Sequence, residues 1–197
     1  DTVRPALQTI GLSPDARLTA GAYMMVFKSE LMFFADPVIN IDPSAQELAE
    51  IALCTAETAR SFDVEPRVAM LSFSNFGSSR HPQADKVRQA TKIVQQRAPD
   101  LVVEGEMQAD LALTPSMLEE AYPFAELKGR ANVLVFPDLS SANVAYKLTQ
   151  CLAGAEAVGP ILMGFDKPVH LMPSNSTVEQ IVQLTAVAVV DAQQSSD

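Results

Sequence analysis

Arg67–Arg97, RVAMLSFSNFGSSRHPQADKVRQATKIVQQR, decides how the rest of the 197-residue chain is read. Val68–Phe73 is an apolar run of strand length. It breaks into the small-residue loop Ser74-Asn75-Phe76-Gly77-Ser78-Ser79-Arg80 and restarts as a helix behind Pro82, a residue favoured in a first helical turn because its missing N–H would have no partner there. Val87, Ala90 and Val94 then recur at helical spacing. A strand, a Gly/Ser loop and a helix start can present backbone N–H groups to an anion. Six of the chain's 14 basic residues lie in this stretch, with one of its 24 acids, Asp85, so it is a positive island in an acidic protein. A solvated basic helix face beside an ordinary loop explains the same charges, and no P-loop or dinucleotide glycine pattern decides between the two.

Outward from this unit, strands and helices alternate. Thr2–Gly11 reads as a helix end stopped by Gly11, followed by the turn Ser13-Pro14-Asp15. Leu18–Phe27 and Leu31–Ile39 are apolar runs joined by Lys28-Ser29-Glu30, a hairpin-like pair. Asp42-Pro43 predicts a helix with Asp42 as cap and Leu48, Ile51, Ala52, Ala56 and Ala59 on its apolar face. Leu101–Val103 reads as a short strand running into an acidic loop, Glu104–Asp110. Thr114-Pro115 opens a short helix, Asn132–Phe136 is a strand, and Ser140 or Ser141 caps a helix whose apolar face is Val144, Leu148 and Leu152. Ala157–Met163 is a further apolar run. The capping box Ser176-Thr177-Val178-Glu179 starts a helix, Thr177–Gln193, that is apolar on most sides and so expected to pack on two of them. The tail Gln194–Asp197 is polar. The alternation predicts an α/β fold with a largely parallel sheet and flanking helices. Ligands of such sheets sit beyond the carboxyl ends of strands, here at Ser74–Arg80, Glu104–Asp110 and Asp138–Asn143.

Composition narrows the function. With 48% hydrophobic and 19% charged residues the chain is globular, and a net charge of −10 argues against a nucleic-acid partner. No apolar run reaches bilayer-spanning length and no secretory signal is visible. Cys54 and Cys151 fall in amphipathic patterns and read as reduced core residues, which points to a cytoplasmic protein. Asp1 opens the chain inside a helical pattern, as in a piece of something longer.

Glu104, Glu106 and Asp110 could form a carboxylate cluster for a metal or for acid/base work, but no His stands near them and a solvated acidic loop explains them as well. His81 reads as a neutral cap or surface residue, and His170 in its Pro-rich turn fits either role. Ser72, Ser74, Ser78 and Ser79 lack partners for a hydrolase triad. Met24, Met25, Met32, Phe33 and Phe34 read as core.

Five blocks in order carry a resemblance: Arg4-Pro5-Ala6-Leu7-Gln8, Val68–Ser79, Glu104–Asp110, Ala131–Leu148, and Gly159-Pro160 with Lys167-Pro168-Val169. Together they look like the phosphate acetyl/butyryltransferase family, beginning partway into its usual length. Phe33-Phe34-Ala35-Asp36, Asn40-Ile41-Asp42-Pro43, Ser74-Asn75-Phe76-Gly77-Ser78, Lys167-Pro168-Val169-His170 and Ala188–Gln193 are most similar to one branch, the phosphotransacetylase-like C-terminal domain of hybrid NADP-dependent malic enzymes. The resemblance implies an isocitrate dehydrogenase-like two-domain arrangement with the N-terminal part of the first domain missing. Residues 1–15 would be a connecting helix end, 16–162 a middle α/β domain, and 163–197 a return to the other domain. It also implies a cleft for coenzyme A and a homodimer or higher homo-oligomer, with Arg4, Ser74, Asn75, Gly77, Ser78, Arg80, Asn143 and Ser174 at the acyl-CoA or anion site.

Departures from the family pattern shape the expected function. Where family members carry Ser, a phosphate-binding Arg and a basic Asp, this chain has Pro173, Ser174 and Gln180. A Gln amide cannot accept the thiol proton of coenzyme A. Loss of a general base costs ~10²–10⁴ in rate. An Arg of the family is Cys151, and its Gly-x-Gly-Asn turn is Ser140-Ser141-Ala142-Asn143. The expectation is therefore a non-catalytic, acetyl-CoA-binding regulatory domain of an NADP-dependent malic enzyme, with no catalytic residue and no metal of its own. NADP and a divalent metal would belong to a malic-enzyme module on the same polypeptide. The alternatives are an active phosphate acetyltransferase and a purely structural dimerisation module.

Overall fold

A computed structural model describes residues 3–14, 16–174 and 176–194; Thr2 of the expected first helix, Asp15 of the expected turn and 195–197 of the polar tail lie outside them. The elements in chain order are α1 (Val3–Thr9), β1 (Ala20–Val26), β2 (Leu31–Ala35), α2 (Ala45–Ser61), β3 (Arg67–Leu71), α3 (Pro82–Arg97) and β4 (Val102–Met107), then α4 (Ala109–Leu113), α5 (Pro115–Ala121), β5 (Val133–Val135), α6 (Leu139–Ala153), β6 (Glu156–Met163) and α7 (Val178–Gln194). The strands form one sheet in the order β4-β3-β5-β2-β1-β6. β3 is parallel to β4 and β5, β5 is parallel to β2, and β1 is antiparallel to both its neighbours. Five strands therefore run one way and β1 alone is reversed. The short Lys28-Ser29-Glu30 connection requires this, because a parallel pair needs a long crossover.

Alternation along the strands sorts the core into two layers. Phe33, Val68, Met70, Val133 and Val135 pack under Leu48, Ile51 and Ala52 of α2 and Val87, Ala90 and Val94 of α3. Phe34, Leu71, Met107, Leu134 and Phe136 face Leu111, Leu118, Leu127 and Ala142 on the other side. Leu184 and Val187 of α7 lie on Val158 and Ile161 of β6. Among the described residues no helix is long and apolar enough to cross a membrane.

Several sequence expectations are corrected. Ser44, not Asp42, caps α2, in a full capping box with Glu47. Asp138 caps α6 by accepting from the Ser141 N–H. The capping box of α7 is one residue later than expected: the Gln180 side chain accepts from Thr177 N–H and Gln180 N–H donates to Thr177 Oγ1. The acidic loop is a strand as far as Met107, so Glu104 and Glu106 are buried in the sheet. The expected core face of α6 points outward: Val144, Leu148 and Leu152 are exposed, and Ala142 is the helix's one buried residue. Tyr146 instead turns inward and stacks on Tyr23 of β1, ring centroids 4.4 Å apart. Cys151 shares the outward face and is not core. Cys54 is half-buried; burial first, then Glu50 and Glu57, push its thiol up to about 12, so it stays a thiol at neutral pH.

Candidate functional site

With five strands codirectional, the segments after β2, β3, β4, β5 and β6 leave from one edge of the sheet. Behind β3, Ser74–Arg80 folds over the end of β4. Its core is the Glu106 carboxylate, 0% exposed. Glu106 Oε1 accepts from Ser74 Oγ at 2.7 Å, Gly77 N–H at 2.9 Å and Arg88 Nη2 at 2.8 Å, and Oε2 accepts from Arg88 Nε at 2.9 Å. Burial alone would raise this carboxyl; Arg88, Ser74 and Gly77 outweigh it and hold the group below its ordinary value. Asn75 and Gln108 close the loop in both directions, with Gln108 N–H donating to Asn75 Oδ1 at 2.7 Å and Asn75 Nδ2 donating to Gln108 Oε1 at 3.2 Å. Ser78 Oγ accepts from Asn75 N–H, and Ser74 Oγ accepts from Ser79 N–H. Of the N–H groups that the sequence offered to an external anion, that of Gly77 thus serves the protein's own carboxylate, and those of Asn75 and Ser79 are taken up by the Ser78 and Ser74 hydroxyls. The Phe76 side chain packs against Tyr122 and Phe124, and Gly77 takes the left-handed φ of +89° that the tight turn needs. His81 caps α3, its Nδ1 accepting from Gln83 N–H at 3.3 Å.

Beside it, the segment after β2 wraps around buried Asp36. Asp36 Oδ1 accepts from the N–H groups of Gly21, Val38 and Ile39, and Oδ2 accepts from the Asn40 backbone and side chain. Burial pushes the carboxyl above its ordinary value against the pull of these donors. Asn143 Nδ2 donates to Pro37 O and Leu139 N–H to Ile41 O, fastening this turn to the start of α6. Lys86 of α3 reaches Asp42. The turns behind β2, β3, β4 and β5 thereby form one connected rim.

The remaining candidate residues lie elsewhere. After β6 the chain turns at Gly164 and doubles back along the sheet edge, where His170 bridges Ile161. Leu12 bridges Phe165, so α1, with exposed Arg4, joins the molecule on this side. Pro173 and Gln180 line a pocket of about 340 Å³ with Tyr23, Tyr146, Gln150 and Met172. Among the described residues, none lining this pocket is charged. Ser174 is exposed next to it. Burial first, then Tyr146, raises the Tyr23 phenol far above its ordinary value, so it is a neutral donor. Four strand spacings of ~4.8 Å, on the order of 19 Å, separate β3, which the Ser74 loop follows, from β6, which the segment with Ser174 follows. Thus Ser74, Asn75, Gly77 and Ser78 stand together with Arg80 exposed at their end, Asn143 lies on the same rim, and Arg4 and Ser174 lie on the β6 side. Sequence reading overlooked Asp36 and the Tyr23–Tyr146 pair; the Asp36-Pro37 step with Asn40 four residues on was the one local sign of a carboxylate-centred turn. Among the described residues no group of three or more His, Cys, Asp or Glu side chains is placed to hold a metal ion.

Comparison with known proteins agrees with this architecture. The family described as phosphate acetyl/butaryl transferase matches residues 1–189. A phosphate acetyltransferase of Bacillus subtilis is 46% identical over 98% of this chain and 59% of its own length. An NADP-dependent malic enzyme of Escherichia coli is 46% identical over 89% of this chain and 23% of its own length. The crystal structure of a phosphotransacetylase from Streptococcus pyogenes superposes with a TM-score of 0.94 at 48% identity, over 98% of this chain and 59% of that one. The chain thus spans about three fifths of these acetyltransferases, 59% in both cases. Its six-stranded, mostly parallel sheet and near-complete match place it in the phosphate acetyl/butaryl transferase family.

Proposed function

We propose that this chain is the larger part of a phosphate acetyltransferase, which moves acetyl between coenzyme A and phosphate. The observation that carries this is likeness over nearly the whole chain to proteins of that name, at 46% and 42% identity over 98% of its residues. On this reading residues 1–15 are a connecting helix end, 16–162 form one domain, and 163–197 return to the other, with coenzyme A in the cleft between the two domains.

A second reading rests on a specific observation at Pro173, Ser174 and Gln180. On the resemblance these three stand where the family carries a hydroxyl, a guanidinium and a carboxylate; the adjoining pocket is lined by uncharged residues, and the Gln180 amide is engaged in capping α7. A site of that kind binds acetyl-CoA without turning it over. It would serve as an effector site of an NADP-dependent malic enzyme, with NADP, a divalent metal and malate decarboxylation on another module. The 46% identity to the E. coli malic enzyme supports this branch.

One pair of measurements on the complete polypeptide separates the readings. Acetyl-phosphate turnover dependent on coenzyme A, at a rate comparable with the B. subtilis enzyme assayed beside it, supports the transferase. Heat of acetyl-CoA binding with turnover at background supports the effector site. No heat at millimolar acetyl-CoA and no turnover overturn both in favour of a dimerisation module.

A further inference from the structure

Glu104 lies in β4, the strand at one side of the sheet, and is only 8% exposed. Alternation along the strand turns it away from the layer that holds Leu101 and Val103, toward the irregular segment 122–132 between α5 and β5. Ala125 and Leu127 of that segment are buried in the core on this side, so it closes over the carboxyl. Oε2 is sealed from solvent and meets no hydrogen-bond partner. The charged groups that face it, Glu126 and Lys128, both belong to the covering segment, and Ala69 beside it on β3 is apolar. Lys128 spends a hydrogen bond elsewhere, its Nζ donating to Ala125 O at 2.8 Å. A neutral carboxyl is tolerated in this place. A charged one meets desolvation first and the Glu126 carboxylate besides, with the Glu126 N–H and Lys128 as partial offsets, and the balance raises its pKa.

The same segment carries an aromatic cover. Tyr122 and Phe124 pack on Phe76, with ring centroids 4.7 and 5.2 Å from it, and Phe76 belongs to the loop that wraps Glu106. We propose that segment 122–132 is a proton-controlled catch on the rim, closed over neutral Glu104 and released when Glu104 ionises beneath it, which lifts Tyr122 and Phe124 from Phe76. Opening admits water to the charge. The closed form therefore holds the proton more tightly than the open one, and the equilibrium shifts toward open as pH rises from the ordinary carboxylate value to the raised one. The shift is about tenfold per pH unit at its steepest and level above the raised value. This inference is independent of either functional reading.

Native-state hydrogen exchange read by mass spectrometry from about pH 4 to pH 8, corrected for intrinsic rates, measures the catch. Peptides within 122–132 should lose protection by up to about tenfold per pH unit before reaching a plateau. In Glu104→Gln the same peptides should keep a level profile. Glu126→Gln should bring the plateau to lower pH and Lys128→Met to higher pH, opposite shifts that keep the test valid should Glu104→Gln misfold. A level wild-type profile, an unchanged slope in Glu104→Gln, or neighbour shifts that are absent or of the other sign overturn the proposal.

Discussion

Glu106 is a carboxylate removed from solvent whose partners all come from the Ser74 loop and α3. Truncating one partner leaves the charge buried and uncompensated, which typically costs ~3–5 kcal/mol. Arg88→Ala should therefore lower the unfolding free energy from urea titration by an amount in that range, and adding Glu106→Gln should restore part of it, as a double-mutant cycle would show. The folded carboxyl titrates below its unfolded value of about 4.3. The stability it contributes is thus present above that pH and lost as pH falls through the lower folded value. Glu104 behaves oppositely. Burial raises its carboxyl, and Oε2 finds no partner. Folding is disfavoured once pH rises through that raised value, so Glu104→Gln should stabilise at neutral pH, with the gain fading below the carboxylate range; urea titrations at pH 4 and 7 check this. Both acids read as loop residues in the sequence because Val-Val-Glu-Gly-Glu-Met has the polarity of a turn. What surrounds Glu106 is Arg88, Ser74 and the loop over β4, and Glu104 lies by Glu126 and Lys128, all remote in sequence.

At the scale of elements, local chemistry was legible wherever a pattern faced the protein's own core. The apolar face of α2, from Leu48 to Ala59, is buried as its spacing predicts. Its cap was displaced by two residues, because Asp42 is taken up by Lys86 while Ser44 and Glu47 satisfy the first N–H groups. Ser44→Ala should cost about 1 kcal/mol of stability by urea unfolding, the usual cost of losing such a cap. Periodicity misled at α6 and α7 for one reason: it reports that a face wants covering and not what covers it. Val178, Ile181, Val182 and Val189 of α7 stay exposed while Leu184 and Val187 are buried, so packing on a second side is not met within the single chain.

For the molecule as a whole, the parallel sheet and its family were readable, since five motifs in order constrain a topology tightly. Which candidate residues share a site was not, because neighbours in the sheet follow strand order: β3 and β6 stand four places apart. The same comparisons weigh the function toward acetyl transfer, although the substitutions near Gln180 argued for a sensor. The join between the sheet and its last segment is Gly164. It holds φ at +85°, and a Cβ there would lie 2.3 Å from the Leu18 carbonyl oxygen. Gly164→Ala should loosen both α1 and the return segment. Limited proteolysis would show it as new cleavage between 164 and 177 while fragments containing β2 to β5 persist; an unchanged digest would count against the role given to this turn.

The chain has no tryptophan and three tyrosines. Two of them, Tyr23 and Tyr146, are stacked face to face in the wall of the uncharged pocket, and Tyr122 lies apart in the aromatic cluster by Phe76. The near-ultraviolet dichroism is therefore dominated by one coupled pair of chromophores, positioned in the wall of that pocket. An occupant that parts the rings would announce itself in that band without any label, and Tyr146→Phe would silence the signal.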